Sequence, residues 1–241
     1  MERKKYLCLV IFVLLTQWLS ANSRSFIYEA YVRNDMSKWK YTIEQYRPVS
    51  NNEKLELLNY LYGYIAYCIG NKKNDEAKKY LQQAQLLIND LEKNKYRMSE
   101  LYAYKSAVIG FNIGLAPYKA PLLGKESQTF AEKSVAIDST NYLGYIQLGN
   151  IAFYTPAVFG GSKKKAILYY LKALKLMEKN PENLKNNWNY LNLLATLINA
   201  YYEQEQYKLA EKYCQITLKV EPNFDWVKNH LYPKVLKKLY P

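Results

Sequence analysis

Apolar side chains recur along this chain at offsets of three and four, in segments broken by short polar or Pro/Gly-rich stretches. That spacing places them on one side of an α-helix, so the chain reads as helical throughout. In the segment that begins at Tyr142, the residues Tyr145, Leu148, Gly149 and Ala152 share one face, and Gly149 leaves room there for a neighbouring helix. After the loop Pro156-Ala-Val-Phe-Gly-Gly-Ser, the spacing returns in Ala166, Tyr170 and Ala173 and stops near Asn180-Pro181. Small residues alternating with one large ring are what two antiparallel helices need in order to nest.

The unit repeats. A shift of about 39 residues lays Gly110 on Gly149, Pro117 on Pro156, Ala131 on Tyr170 and Ser134 on Ala173. Upstream, Tyr62, Gly63 and Ala66 are followed by Ala77, Leu81 and Ala84; downstream, Leu194, Leu197 and Tyr201 are followed by Ala210, Cys214, Thr217 and Pro222. Four helix pairs are therefore expected: Leu55–Gly70 with Glu76–Leu91, Tyr102–Leu115 with Ser127–Ile137 across a long loop Ala116–Glu126, the central pair, and Trp188–Glu203 with Tyr207–Val220. Ser25–Pro48 reads as two shorter helices with Ser37 as N-cap of the second. Asp225–Leu239 reads as a last helix whose Trp226, Leu231, Val235 and Leu236 cover the open end.

These residues resemble the tetratricopeptide repeat, whose loose signature (W-x2-L-G-x2-Y, then A-x3-F-x2-A and a terminal Pro) is met in the third and fourth pairs. Ile198 replaces the packing glycine of the last pair, and the middle two pairs carry extra residues between their helices. The resemblance implies an all-α, right-handed superhelical solenoid of stacked helix-turn-helix repeats. Its parts would be an abbreviated repeat at 24–54, the array at 55–224 and a capping helix at 225–241. It also implies that the first helices of the pairs line a concave face. Carried over, the family's inward positions are Tyr60, Tyr64 and Tyr67, then Tyr104, Phe111 and Leu115, then Ile146, Asn150, Phe153 and Tyr154, and finally Asn192, Asn199, Tyr202 and Glu203. Rings and amides of this kind suit a peptide or a small amphipathic ligand.

The net charge of +13 could attract nucleic acid, anionic lipid or an acidic partner. No basic stripe interleaves with aromatics as a nucleic-acid platform requires, so scattered lysines read as solvating the outer faces, and membrane contact is not favoured. Residues 1–23 have the three parts of a secretory signal: Arg3, Lys4 and Lys5, an apolar run Tyr6–Trp18 too short to span a bilayer, and Ala21-Asn-Ser23, with cleavage expected after Ser23 or, alternatively, after Ala21. An exported, periplasmic or envelope-associated protein follows. His230 is the only histidine, which leaves a hydrolase triad or multi-histidine metal site nothing to build with; no catalytic residue, metal or cofactor is implied. Cys68 and Cys214 fall in non-adjacent repeats and are expected as buried free thiols.

Gly160, Gly161, Ser162 and Lys163 stand at a helix N-terminus, a candidate anion site against the plainer reading that Ser162 caps the helix, the glycines turn the chain and Phe159 packs beneath. The loops at Pro117–Gly124 and Pro156–Gly161 are expected side by side on one edge. The functional expectation is a non-catalytic module that binds a protein or peptide partner on its concave face. The alternative is capture of a small hydrophobic or anionic ligand in a closed array.

Overall fold

The computed structural model describes residues 22–240. The expected leader lies outside the described residues except for Asn22 and Ser23, which begin a helix, α1, over residues 22–32. There follow α2 (Met36–Gln45), α3 (Asn51–Gly70), α4 (Asn74–Lys93), α5 (Met98–Leu115), α6 (Ala120–Ile137), α7 (Tyr142–Tyr154), α8 (Lys163–Met177), α9 (Trp188–Glu203), α10 (Tyr207–Val220) and α11 (Tyr232–Leu239). No strand occurs among the described residues. Helices α3 and α4, α5 and α6, α7 and α8, and α9 and α10 pack as hairpins, and each hairpin stacks on the next through α4–α5, α6–α7 and α8–α9. The protein is an all-α array of stacked helix pairs.

Local chemistry moves several boundaries from their expected places. Ser50 accepts from the backbone N–H of Glu53 while the Glu53 carboxylate accepts from that of Ser50, a reciprocal cap that starts α3 at Asn51 rather than Leu55. Asp35, not Ser37, caps α2 by accepting from Lys38 N at 3.0 Å. The long loop expected at Ala116–Glu126 is mostly helix: after one 3-10 turn at Pro117–Lys119, α6 begins at Ala120 with Pro121 in its first turn, where a missing N–H costs nothing. At the C-terminus the expected single helix opens as a π-helical turn, Trp226–Leu231, just before Pro233, which has no N–H to close an ordinary turn. Val227, Leu231 and Val235 are buried there, while Trp226 stays about half exposed against the His230 ring.

The small residues do not all do the same work. A Cβ built on Gly149 would lie 2.3 Å from the Tyr170 ring, so Gly149 does let α7 and α8 nest. On Gly63 it would lie 2.7 Å from Trp39 and Trp188, two indoles from outside the α3–α4 hairpin. Gly63 is therefore not the hairpin-packing position. The separation of Ile198 from Ala210 in the last pair, carried back from Ala77, falls on Ile65, two positions further on. That slip rotates the whole inward face of α3.

Those indoles belong to a junction that joins the first pair to the last. Trp39 and Trp188 cross edge to face with centroids 5.0 Å apart, and Tyr31 of α1 packs on both and on Phe224. Trp39 Nε1 donates to the Tyr60 carbonyl, and the Tyr31 hydroxyl to Asn192 Oδ1. The α1–α2 hairpin thus packs on the α3–α4 pair, where Lys40 reaches Glu76 and Tyr80 donates to Glu44, and bridges it to α9 and to the chain beyond α10, where Tyr28 donates to Glu221. Aromatic pairs of this kind add about 0.5–1.5 kcal/mol each beyond the area they bury.

Candidate binding site

The inner wall is built on α3, α5, α7 and α9. On α3 the residues facing inward are Asn59, Tyr62, Gly63 and Ala66, at helical spacing. The Asn59 carboxamide is fully used: Oδ1 accepts from Trp188 Nε1 at 2.9 Å and from Asn189 at 3.1 Å, and Nδ2 donates to the Tyr104 hydroxyl at 2.8 Å. One turn on, the buried Tyr62 ring meets Tyr104, Phe111 and Trp188, and its hydroxyl accepts from Gln147 Nε2 at 3.4 Å. Burial pushes the Tyr62 phenol up, partly offset by bonds from Gln147 and Asn150. Four first helices therefore converge on Tyr62.

Exposure rises steadily from this hub toward the C-terminal ends of the same helices. Ala66 and Gly70 on α3, Gly110 and Gly114 on α5 and Tyr154 on α7 are exposed; Phe111, Asn150, Phe153, Asn199 and Tyr202 are partly so. The wall opens as a mouth at the C-terminal ends of its helices; a separate cavity of about 300 Å³ lies near the N-terminal ends of α7 and α9, lined by Thr140, Tyr142, Asn183 and Asn187. Tyr154 stands at the mouth: it is 77% exposed, packs edge to face on Phe153 with centroids 5.0 Å apart, and lies near enough to Tyr62 and Tyr170 to influence their charge. Asn150 accepts from the Tyr170 hydroxyl at 2.9 Å, which fixes its carboxamide.

The residues expected on the concave face fall in different places. Asn150, Tyr154, Phe111 and Phe153 lie toward the C-terminal ends of α5 and α7, Asn199 is partly buried on α9, and Tyr202 packs on Tyr207 of α10 under Lys234 of α11. Tyr60, Tyr64 and Tyr67 do not face the open part of the wall. Tyr60 is buried with its hydroxyl on Glu56, Tyr64 packs on Tyr80 and reaches Glu76, and Tyr67 packs on Tyr64 and takes a bond from Lys73. Tyr104 does point inward but is buried in the hub, its phenol raised well above the usual value by desolvation. The missed inward residues are Asn59, Tyr62 and Trp188. Placing the repeat on Ala77 instead of Gly63 would have found the first two.

At the candidate anion site the backbone donors are already taken. The N–H groups of Gly160, Gly161 and Ser162 donate to the carbonyls of Ala157, Pro156 and Ala152, and Ser162 Oγ accepts from Lys165 N. Gly160 holds φ 90°, and a Cβ on Gly161 would meet the Thr155 carbonyl oxygen at 1.7 Å, so both glycines are required by the turn. Lys163 pairs with Glu203 at 3.0 Å and lies over the Phe153 ring. Phe159, expected beneath this loop, instead stands 78% exposed. Cys68 and Cys214 are buried free thiols, pushed up to about 11 and about 12 chiefly by desolvation and secondarily by Glu76 and Glu211. A thiol so raised is a poor nucleophile. His230 sits on the π-helical turn, 3.7 Å from Asp225 and stacked on Trp226.

The stacked pairs and their inner wall define an all-α helical-repeat protein. No protein-family model and no curated protein matches the chain. Among solved structures, that of the HusA haemophore from Porphyromonas gingivalis is similar, with a TM-score of 0.57 and 18% sequence identity over 78% of this chain and 92% of that one. At that identity the likeness is one of fold.

Proposed function

We propose that this chain is an exported, non-catalytic binding protein that holds a compact, ring-bearing ligand in the mouth of its inner wall. The observation that carries the reading is Tyr154, a solvent-exposed ring at the open end of the wall that packs on Phe153 and lies near Tyr62 and Tyr170. Such a surface offers stacking area with few polar contacts to set orientation. An extended peptide needs a long groove, and here the side chains around Tyr62 and Asn59 fill the wall between α3 and α9. The small-ligand reading therefore moves ahead of the protein or peptide partner.

The fold likeness to a haemophore directs attention to flat, largely apolar molecules with an anionic edge. The C-terminal ends of α3, α5 and α7 face the mouth, and their partial negative charge disfavours an anion at its floor. An anionic edge would point outward, where Lys163 covers Phe153 at 5.7 Å from the ring centroid. Haem and metal-free porphyrin are the probes, titrated into the mature protein and followed by porphyrin absorbance and tyrosine quenching. Tyr154→Ala and Phe111→Ala are each expected to weaken binding up to about tenfold, the equivalent of about 1.4 kcal/mol of stacking. No saturable change with either probe, or unchanged affinity in both variants, would reject this ligand class at this mouth.

A further inference from the structure

The rim of the mouth carries a second feature that ligand binding does not need. Tyr118 and Leu122, at the α5–α6 turn, are 81% and 79% exposed; Val158 and Phe159, at the α7–α8 turn, are 86% and 78% exposed. Helices α5 and α7 pack together and run in the same sense, so both turns lie on one edge of the array, one repeat apart. Among the described residues outside this end of the array, side chains such as Val49 and Leu86 are exposed far apart along the chain. Here four project from adjacent turns.

The charge around them is one-sided. No acidic residue occurs from Ala116 to Lys125 or from Thr155 to Lys165, while Lys119, Lys125, Lys163, Lys164 and Lys165 do. Of these, Lys163 is paired with Glu203 and Lys165 lies over Tyr169; Lys119, Lys125 and Lys164 have no carboxylate within salt-bridge distance among the described residues. A second copy docked by this edge would bring like charges together. Apolar side chains on the tips of two separate turns present points rather than one continuous face. They fit a deformable anionic surface, entering the headgroup layer while the lysines meet phosphate.

We propose that the edge formed by Tyr118, Leu122, Val158 and Phe159 with Lys119, Lys125 and Lys164 docks this protein on anionic lipid, with the mouth turned toward the membrane. The proposal does not depend on what the mouth holds. The test uses the mature full chain with vesicles of phosphatidylcholine alone or mixed with phosphatidylglycerol. Sedimentation is expected to recover the protein with the anionic vesicles at low salt, not with the neutral ones, and to lose it at about 1 M salt, where the screening length is about 3 Å. The double variant Tyr118→Ser/Phe159→Ser and the charge variant Lys119→Glu/Lys164→Glu are each expected to lower partitioning at least tenfold with unchanged thermal midpoints, since all four side chains are exposed. Absence of vesicle binding at low salt, or variants that partition as the parent does, would overturn the proposal. So would a parent that is dimeric and becomes monomeric in the serine variant without change in vesicle binding, which would assign the edge to a second copy.

Discussion

Gly149 and Gly110 look equivalent in the repeat, yet their surroundings differ in a way that fixes the sign of a substitution. An added methyl at Gly149 runs into Tyr170, whose hydroxyl also holds Asn150; at Gly110 it meets nothing within 4 Å. Gly149→Ala is expected to destabilise by about 1–3 kcal/mol, because overpacking outweighs the helix-propensity gain. Gly110→Ala should stabilise by about 0.5–1 kcal/mol. Denaturant midpoints of the two variants check both, and equal shifts would contradict the packing. The pair also shows what a sequence can conceal: a glycine marks a place without a side chain, not what fills it. Gly63 has the same appearance and serves two indoles distant in the chain, so a repeat aligned on it sets the inward face of α3 two positions early.

The helical elements were largely legible because their signals are local. Helices α9 and α10 begin and end where apolar spacing put them, and α3 extends only by its Ser50–Glu53 cap. The start of α6 was not legible, since Pro121 in a first turn resembles a loop proline in isolation. The joint between α2 and α4 supplies a test of pH dependence. Glu76 bonds Lys40 at 2.6 Å and receives Tyr64, and these bonds, led by Lys40, hold its carboxyl below the usual carboxylate range despite partial burial. A carboxyl depressed in the folded state stabilises it above the unfolded value of about 4.3 and loses that contribution as pH falls toward the folded value. Stability is thus expected to drop below about pH 4. Glu76→Gln should flatten that limb in thermal melts from pH 3 to 6; an unchanged acid limb would show that the pair contributes nothing.

What the sequence withheld most completely is the closure of the array, because it rests on contacts such as Asn59 with Trp188, 129 residues apart, that no periodicity announces. The leading form of the tetratricopeptide resemblance implied an open curve with two ends, each needing its own cover, with a closed array as its alternative. In the structure the α1–α2 hairpin and the Asn59 carboxamide tie the first pair to the last. Open arrays of this kind gain stability by nearest-neighbour addition, so their terminal units fray and their unfolding broadens as units are added. A closed one has no terminal unit to melt first. The protein is expected to unfold in one sharp transition, with Asn59→Leu leaving Trp188, Asn189 and Tyr104 short of partners and turning that transition into a broader, stepwise one. Coincident denaturation curves for indole fluorescence and helical circular dichroism in the parent, and separated curves in the variant, are the signature. Joined in this way the repeat number is fixed as well: a fifth pair could not be spliced in without prising the indoles apart, so relatives of this protein should vary in their loops and not in their length by whole repeats.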